Sequence, residues 1–462
     1  METMTTTTML KPVYSIPHPL AGERVPLTVF DLAAFDIFVP TVRAYTAPAP
    51  SNEAIKEGLL KAVALLPHLA GRLAIDGHGR RFLHLNDEGV LVIEAAVSAD
   101  LADLLAGGMD ANFDDMYPTF PELTWFMNHD CLVLRASCRI YSELLMLENV
   151  GAALLQVKIN RFRCGGVLIG TIAHHYLGDG HSFGIFFATW ASAVREGKDF
   201  AVPSPPFLDR AATAVPRPTP APVFDHSSGE EATTDAKSSH AAAVVVVPMD
   251  KIKSLTVHFT ADFIADLKAR VGARCSTFQC LLAHAWKKIT AARDLKPEEV
   301  TQVRVAVNCR GRANPPVPMD FFGNMVLWAF PRLQVRELLN GSYGSVVAAI
   351  RDAVARVDAE YVQSFVDFGA VAEADGEELA ATAPVAGTML CPDLEVDSWL
   401  GFQFHQMDLG TGPPCVFQTP NLPVEGLMIF QPSRTAKGGV DLFIAVAEDH
   451  VDAFEQICHS LD

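Results

Sequence analysis

The feature that most restricts how this chain can fold is a break in composition at residues 201–247, AVPSPPFLDRAATAVPRPTPAPVFDHSSGEEATTDAKSSHAAAVVVV. Pro, Ala, Ser and Thr dominate there and periodicity is lost until the final valines, so no single layer of helix or strand can run through it. It reads as a long linker between an N-terminal domain, 1–200, and a C-terminal domain, 248–462, each of ordinary domain size. Half of the 462 residues are hydrophobic and 19% are charged, which gives each part enough apolar side chain for its own core.

Within the first part, residues 28–30 and 42–45 predict short strands. Ser51 predicts an N-cap for a helix whose apolar positions Ile55, Leu59, Leu60, Val63 and Leu66 recur at helical spacing. Residues 154–161 and 167–173 predict two strands joined through Gly165-Gly166. The second strand delivers the chain into His174-His175-Tyr176-Leu177-Gly178-Asp179-Gly180. Beyond that turn Phe183, Phe186, Phe187, Trp190, Ala191 and Val194 form one stripe of an amphipathic helix. The second part predicts a helix over 262–271, a helix capped by Ser276, a strand over 303–307, a hairpin around residues 432–439 and a final helix from about Asp449. Helices and strands mix without the regular alternation of a parallel doubly wound sheet.

A formal net charge of −18 and the lack of a basic stripe argue against nucleic acid as a partner and suit a cationic small molecule. No apolar run reaches the roughly 18–20 residues that span a bilayer, and the threonine-rich start lacks an apolar signal region, so a cytoplasmic protein is expected. The nine cysteines include no C-x-x-C pair, which predicts reduced thiols and neither zinc nor redox chemistry.

Histidine is the side chain that accepts and returns protons near neutral pH, with an ordinary pKa of about 6.5. His175 stands where a strand ends in a glycine-bearing turn, a place a substrate can approach. Gly178 and Gly180 disfavour a regular helix there, so Asp179 need not face His175 despite the i+4 spacing and can brace the turn against an arginine instead. Two other readings of the residues stay open at this point. The histidines can be ordinary residues of a strand–helix connection, and His174, His175, Asp179 and His181 can be read as metal ligands, although no partner cluster accompanies them.

The residues around this turn carry a resemblance. His175 to Gly180 resembles the HxxxDG signature of the plant BAHD acyltransferases, and Asp408-Leu409-Gly410-Thr411-Gly412 resembles their DFGWG element, with Leu409 and Thr411 in place of the usual Phe and Trp. Residues 67–73, 308–312 and 321–324 match further family patterns, so the resemblance spans nearly the whole chain. It implies an α/β protein of two chloramphenicol acetyltransferase-like domains with mixed sheets, joined by a long crossover linker. It also implies a channel between the domains, His175 as general base, and direct transfer without an acyl-enzyme. Asp179 and Gly180 become structural, Asp179 with Arg310 as its candidate partner. Asp408, Gly410 and Gly412 are expected to be structural at the active site, shaping the interdomain region without reacting. The doubled histidine also resembles that of peptide-synthetase condensation domains, a lesser alternative.

Residues 27–31, 164–166 and 398–402 look most like the grass N-hydroxycinnamoyltransferases. That implies amide formation from a hydroxycinnamoyl-CoA and agmatine, putrescine or tryptamine, by a monomer that needs no cofactor, acyl-CoA being a co-substrate. An O-acyltransferase acting on an alcohol, or a catalytically silent homologue that binds acyl-CoA, are the alternatives. Ser276 and Thr277 at a helix N-terminus are candidates for the CoA phosphates, with Lys251, Lys253 or Lys268 nearby, and Trp399 and Phe402 for stacking on the acyl ring. A cap with solvated lysines, and ordinary core packing, are the plain readings of these residues. Residues 123–147, apolar at 16 of 25 positions and without Gly or Pro, read as an insertion particular to this chain, with an extra helix packed on the first domain or over the channel as the plain alternative.

Overall fold

The computed structural model describes residues 3–14, 18–34, 36–106, 113–118, 149–201, 206–226, 245–376, 379, 387–402, 404, 407–419, 422–433 and 437–461. Residues 123–147 lie outside the described set. The architecture is mixed α/β, built on two large sheets. The first contains β1 (Thr3–Leu10), β2 (Phe38–Tyr45), β3 (Val90–Val97), β4 (Leu155–Phe162) and β5 (Val167–His174). The second contains β6 (Ile252–Phe259), β7 (Val300–Asn308), β8 (Val326–Ala329) and β9 (Leu394–Ser398). A short strand β10 (Val416–Gln418) returns to the first sheet, and β11 (Leu427–Pro432) and β12 (Val440–Ala447) complete the second. The orders are β1-β3-β4-β5-β2-β10 and β6-β12-β11-β9-β7-β8, with Arg332–Gln334 paired to the start of β7. Each sheet mixes parallel and antiparallel neighbours: β3 runs parallel to β4, and β9 runs parallel to both β7 and β11.

The hairpin of β4 and β5 forms through Gly165, whose φ of +84° is the left-handed value such a turn requires. β5 is buried at all eight positions and ends in the histidine pair. Helix α3 (Gly180–Glu196) follows after one 3₁₀ turn and buries the aromatic stripe of Phe183, Phe186, Phe187 and Trp190 in the N-terminal core.

One element departs from its sequence expectation. Residues 28–30 are not a strand: Thr28 caps helix α1 (Val29–Ala33), accepting from the Asp31 amide while the Asp31 carboxylate accepts from the Thr28 amide. This reciprocal cap outweighs the strand preference of Val29 and Phe30.

The two halves also exchange pieces. α1 packs Val29 and Phe30 into the C-terminal core, while β10, Phe322, Phe404 and Leu409 belong to the N-terminal one. The 201–247 crossover is seated too, since Arg217 donates from its amide and Nη1 to Asp367 of helix α7 (Ala359–Asp375), at 2.9 and 3.0 Å. Among the described residues no helix is long and apolar enough to cross a membrane.

Candidate active site

The histidine pair divides into one fully buried residue and one that is partly exposed. His174, the last residue of β5, is fully buried; its Nδ1 accepts the Tyr176 amide at 3.2 Å and its Nε2 lies 3.0 Å from Asp36 Oδ1. The proton therefore sits on Nε2. Asp36 also accepts from Asn149 at 2.9 Å and pairs with Arg81. Burial pushes its carboxyl up, but the His174 bond and the charges around it outweigh that and hold it down at about 2.

His175 is partly exposed. Its amide donates to Ile37 O at 2.9 Å, and its carbonyl accepts from the Asn324 side chain at 2.9 Å and from the Gly178 amide at 3.2 Å. The backbone is thus pinned from both halves of the chain while the residue keeps part of its surface exposed. Burial of its surroundings lowers the His175 pKa below the ordinary imidazole value, with the Asp179 charge opposing the shift. The ring is therefore neutral at pH 7.

Asp179 does not orient the His175 ring by pairing with it. It caps α3, accepting the Ser182 amide at 3.0 Å, and takes a forked pair from Arg310, Nη1 to Oδ2 at 2.8 Å and Nη2 to Oδ1 at 3.0 Å. Arg310 spends its remaining donors on Ser182 Oγ, on the Phe321 and Gly323 carbonyls and on Asn308 Oδ1. The Met325 amide, 2.9 Å from Asp179 Oδ2, completes the carboxylate. Burial alone would raise the Asp179 pKa, but Arg310 outweighs it and keeps the group ionised. Gly180 is required by contact: a Cβ there would come within 2.6 Å of the Phe402 ring.

Of the other candidate residues, Phe402 stands at the turn itself, against Gly180. Asp408 Oδ1 accepts the amides of Gly410 and Gly412 at 2.7 and 2.8 Å, both glycines at φ +103°, while the Asp408 carbonyl accepts from Arg195. Arg195 follows Asp179 by sixteen residues, about 24 Å along α3. This loop therefore sits at the far end of the helix, away from the surroundings of His175. Ser276 caps helix α5 (Thr277–Ala292), which follows α4 (Ala261–Val271), in a reciprocal box with Gln279, and Thr277 Oγ1 accepts from Lys268 at 2.8 Å. Lys251 and Lys253 pair with Glu448. Trp399 packs edge-on against Phe404, and Phe402 tilts against the same ring.

Sequence reasoning passed over Asp31, Asp36 and Arg210, which the fold gathers around the turn. It also passed over two carboxylates on the second sheet. Glu395 stands opposite Arg304, which lies over the Trp328 ring at 3.9 Å, and Asp397 is on the same face, its carboxyl pushed up to about 7 by burial with Glu395 adding to the shift. That face also carries Asn308, which accepts from Arg310.

The Transferase family model matches residues 2–125 and 138–461; the unmatched stretch falls inside 123–147. Tryptamine benzoyltransferase 1 of Oryza sativa subsp. japonica is 59% identical over 463 residues, covering 99% of this chain and 98% of that protein. Tryptamine hydroxycinnamoyltransferase 2 of the same species is 52% identical over 464 residues, 99% of each. Among solved structures, vinorine synthase superposes with a TM-score of 0.66 over 98% of this chain and 96% of its own, at 19% identity, a likeness of fold.

Proposed function

The chain belongs to the Transferase family, the BAHD acyltransferases, and from that premise we propose that it moves an aromatic acyl group, benzoyl or hydroxycinnamoyl, from CoA to a tryptamine-like primary amine. The single observation that carries the mechanism is the division of the histidine pair: His174 has both ring nitrogens engaged, while His175 is a partly exposed, neutral imidazole on a rigid turn.

An alkyl amine is mostly protonated at pH 7, so presenting its lone pair costs about 4–5 kcal/mol, from a lysine-like pKa of about 10.4. The neutral nitrogen attacks the thioester carbon and its own proton becomes acidic. His175 takes that proton, the C–S bond breaks, and His175 returns the proton to the leaving CoA thiolate, giving the amide, free CoA and a neutral imidazole. Burial supports this role, because it keeps the imidazole unprotonated. The charge of −18 supports an acceptor that arrives as a cation.

Thiol release with benzoyl-CoA or p-coumaroyl-CoA and a panel of amines and alcohols tests the reading. Tryptamine is expected to exceed any alcohol at least tenfold in kcat/KM; shikimate or a fatty alcohol ahead of every amine overturns the acceptor. His175→Ala is expected to lower kcat by about 10²–10⁴-fold with the fold intact. More than half of wild-type turnover in that variant removes His175 from the mechanism.

A further inference from the structure

A second buried ion pair stands at the same turn as Asp179 and Arg310. Arg210, from the crossover segment, places Nη1 2.7 Å from Asp31 Oδ1, and each side chain is only 1% exposed. The same guanidinium donates to the Tyr176 carbonyl at 3.0 Å and to the Leu177 carbonyl. Asp31 Oδ1 also accepts from Asn324 Nδ2 at 3.0 Å, and that amide group donates to the His175 carbonyl as well. Asp31 Oδ2 is held by the amide and hydroxyl of Thr28, at 2.9 and 3.0 Å. The carbonyls of His175, Tyr176 and Leu177 are thus all received by one connected unit of Asp31, Arg210 and Asn324, drawn from α1, the crossover and the C-terminal half.

We infer that Asp31 and Arg210 are positioning residues for acyl transfer: through the three carbonyls of the turn they fix where the His175 imidazole stands, so that the crossover is part of the active site as well as a connection. This rests on the reading of His175 as the base. The arrangement closes a loop. α1 carries Asp31 and packs on α7, where a Cβ on Gly369 would come within 2.5 Å of Val29, and α7 holds the crossover through Asp367 and Arg217. Three separate stretches of chain thereby set one turn. A fork that serves a carboxylate and two carbonyls together needs the planar guanidinium; an ammonium cannot span them.

The experiment uses the full chain with p-coumaroyl-CoA and tryptamine, and two variants. Asp31→Asn with Arg210→Met removes both charges together, leaving no lone buried ion. Arg210→Lys keeps the charge and loses the fork. We expect kcat to fall at least twentyfold in the first and about fivefold in the second, with the KM for acyl-CoA within threefold of wild type and an unchanged far-ultraviolet spectrum. Each variant is also made in the His175→Ala background, where it is expected to lower the residual turnover by less than twofold, because the residue it positions is gone. Wild-type kcat in either folded variant overturns the inference, and so does a full additive loss on top of His175→Ala. If the double variant does not fold, Arg210→Lys alone decides by the same two measurements. Retained turnover in His175→Ala by itself overturns the base reading instead, so the two failures are distinct.

Discussion

Helix α3 is capped by Asp179 and ends one residue past Arg195, and an aspartate from a recognisable motif is attached at each end. At the first end Asp179 is buried, capped onto Ser182 and forked to Arg310, with the Asp31–Arg210 pair at the same turn. At the far end Asp408 is turned back on its own glycine amides, and Arg195, which meets its carbonyl, is 41% exposed and also meets Glu196. Both aspartates satisfy backbone amides. They differ in whether a charge has been taken out of water, which makes the first end expensive to disturb and the second a local loop.

The largest expected effect breaks the first end. Arg310→Met strands Asp179 as a buried charge, a loss of about 3–5 kcal/mol of stability together with turnover. Yield and Tm read it directly; a variant that melts within 2 °C of wild type would show that Asp179 is not held by charge. Asp408→Ala, the matching change at the far end, is expected to cost about 1–2 kcal/mol, since it loses two carboxylate hydrogen bonds in a partly exposed loop. Its kcat should stay within threefold of wild type. A hundredfold fall would bring that loop into the chemistry despite its distance along α3.

A pH titration sharpens the same contrast. His68, fully buried beside Arg210 with no hydrogen bond to either ring nitrogen, is held well below the ordinary imidazole value by burial first and the arginine second. His174 and His175 are lowered by burial as well. Groups of this kind bind protons more readily when unfolded, so their stability contribution is complete above about pH 6.5 and is lost as the pH falls below it. Each can contribute up to about 1.4 kcal/mol per pH unit below that point. Glu395 and Asp397, both raised by burial, act in the opposite sense, so the difference between wild type and His68→Leu isolates one imidazole. Denaturant midpoints at pH 7.5 and 5.5 should show a shallower loss in His68→Leu; equal slopes would mean that His68 is protonated in the folded state.

How far these ends could be read from sequence follows from how local their physics is. The strand–turn–helix around His175, the α3 stripe and the Ser51 and Ser276 caps have short-range signatures, and the structure has them. Asp31 and Arg210 meet across 179 positions, and no periodicity marks such a pair. Arg210 lies in a Pro- and Ala-rich stretch that reads as a tether, and Asp31 in a run whose Val and Phe point to a strand. The one available signal was the T-x-x-D spacing of Thr28 and Asp31, the same capping pattern that was legible at Ser276. The far-end loop was misplaced for the converse reason: its glycines are conspicuous in sequence, but conspicuous spacing carries no distance.

The smallest expected effect compares two helix starts. Asp179 opens α3 with a cap that also anchors a buried arginine, whereas Ser276 opens α5 with a cap that closes on itself: its hydroxyl accepts the Gln279 amide at 3.1 Å and the Gln279 side chain accepts the Ser276 amide at 3.0 Å. The adjoining Thr277 hydroxyl is engaged by Lys268. A CoA phosphate at this end would have to displace bonds already made within the chain, so capping accounts for both residues. Ser276→Ala is therefore expected to cost about 1 kcal/mol, the usual worth of an N-cap, and to leave the KM for acyl-CoA within twofold. Thermal melts give the first number and steady-state kinetics at saturating tryptamine the second. A KM raised more than fivefold, with stability unchanged, would convert this start from a closed cap into an anion site and make it, not the start of α3, the helix end that meets substrate.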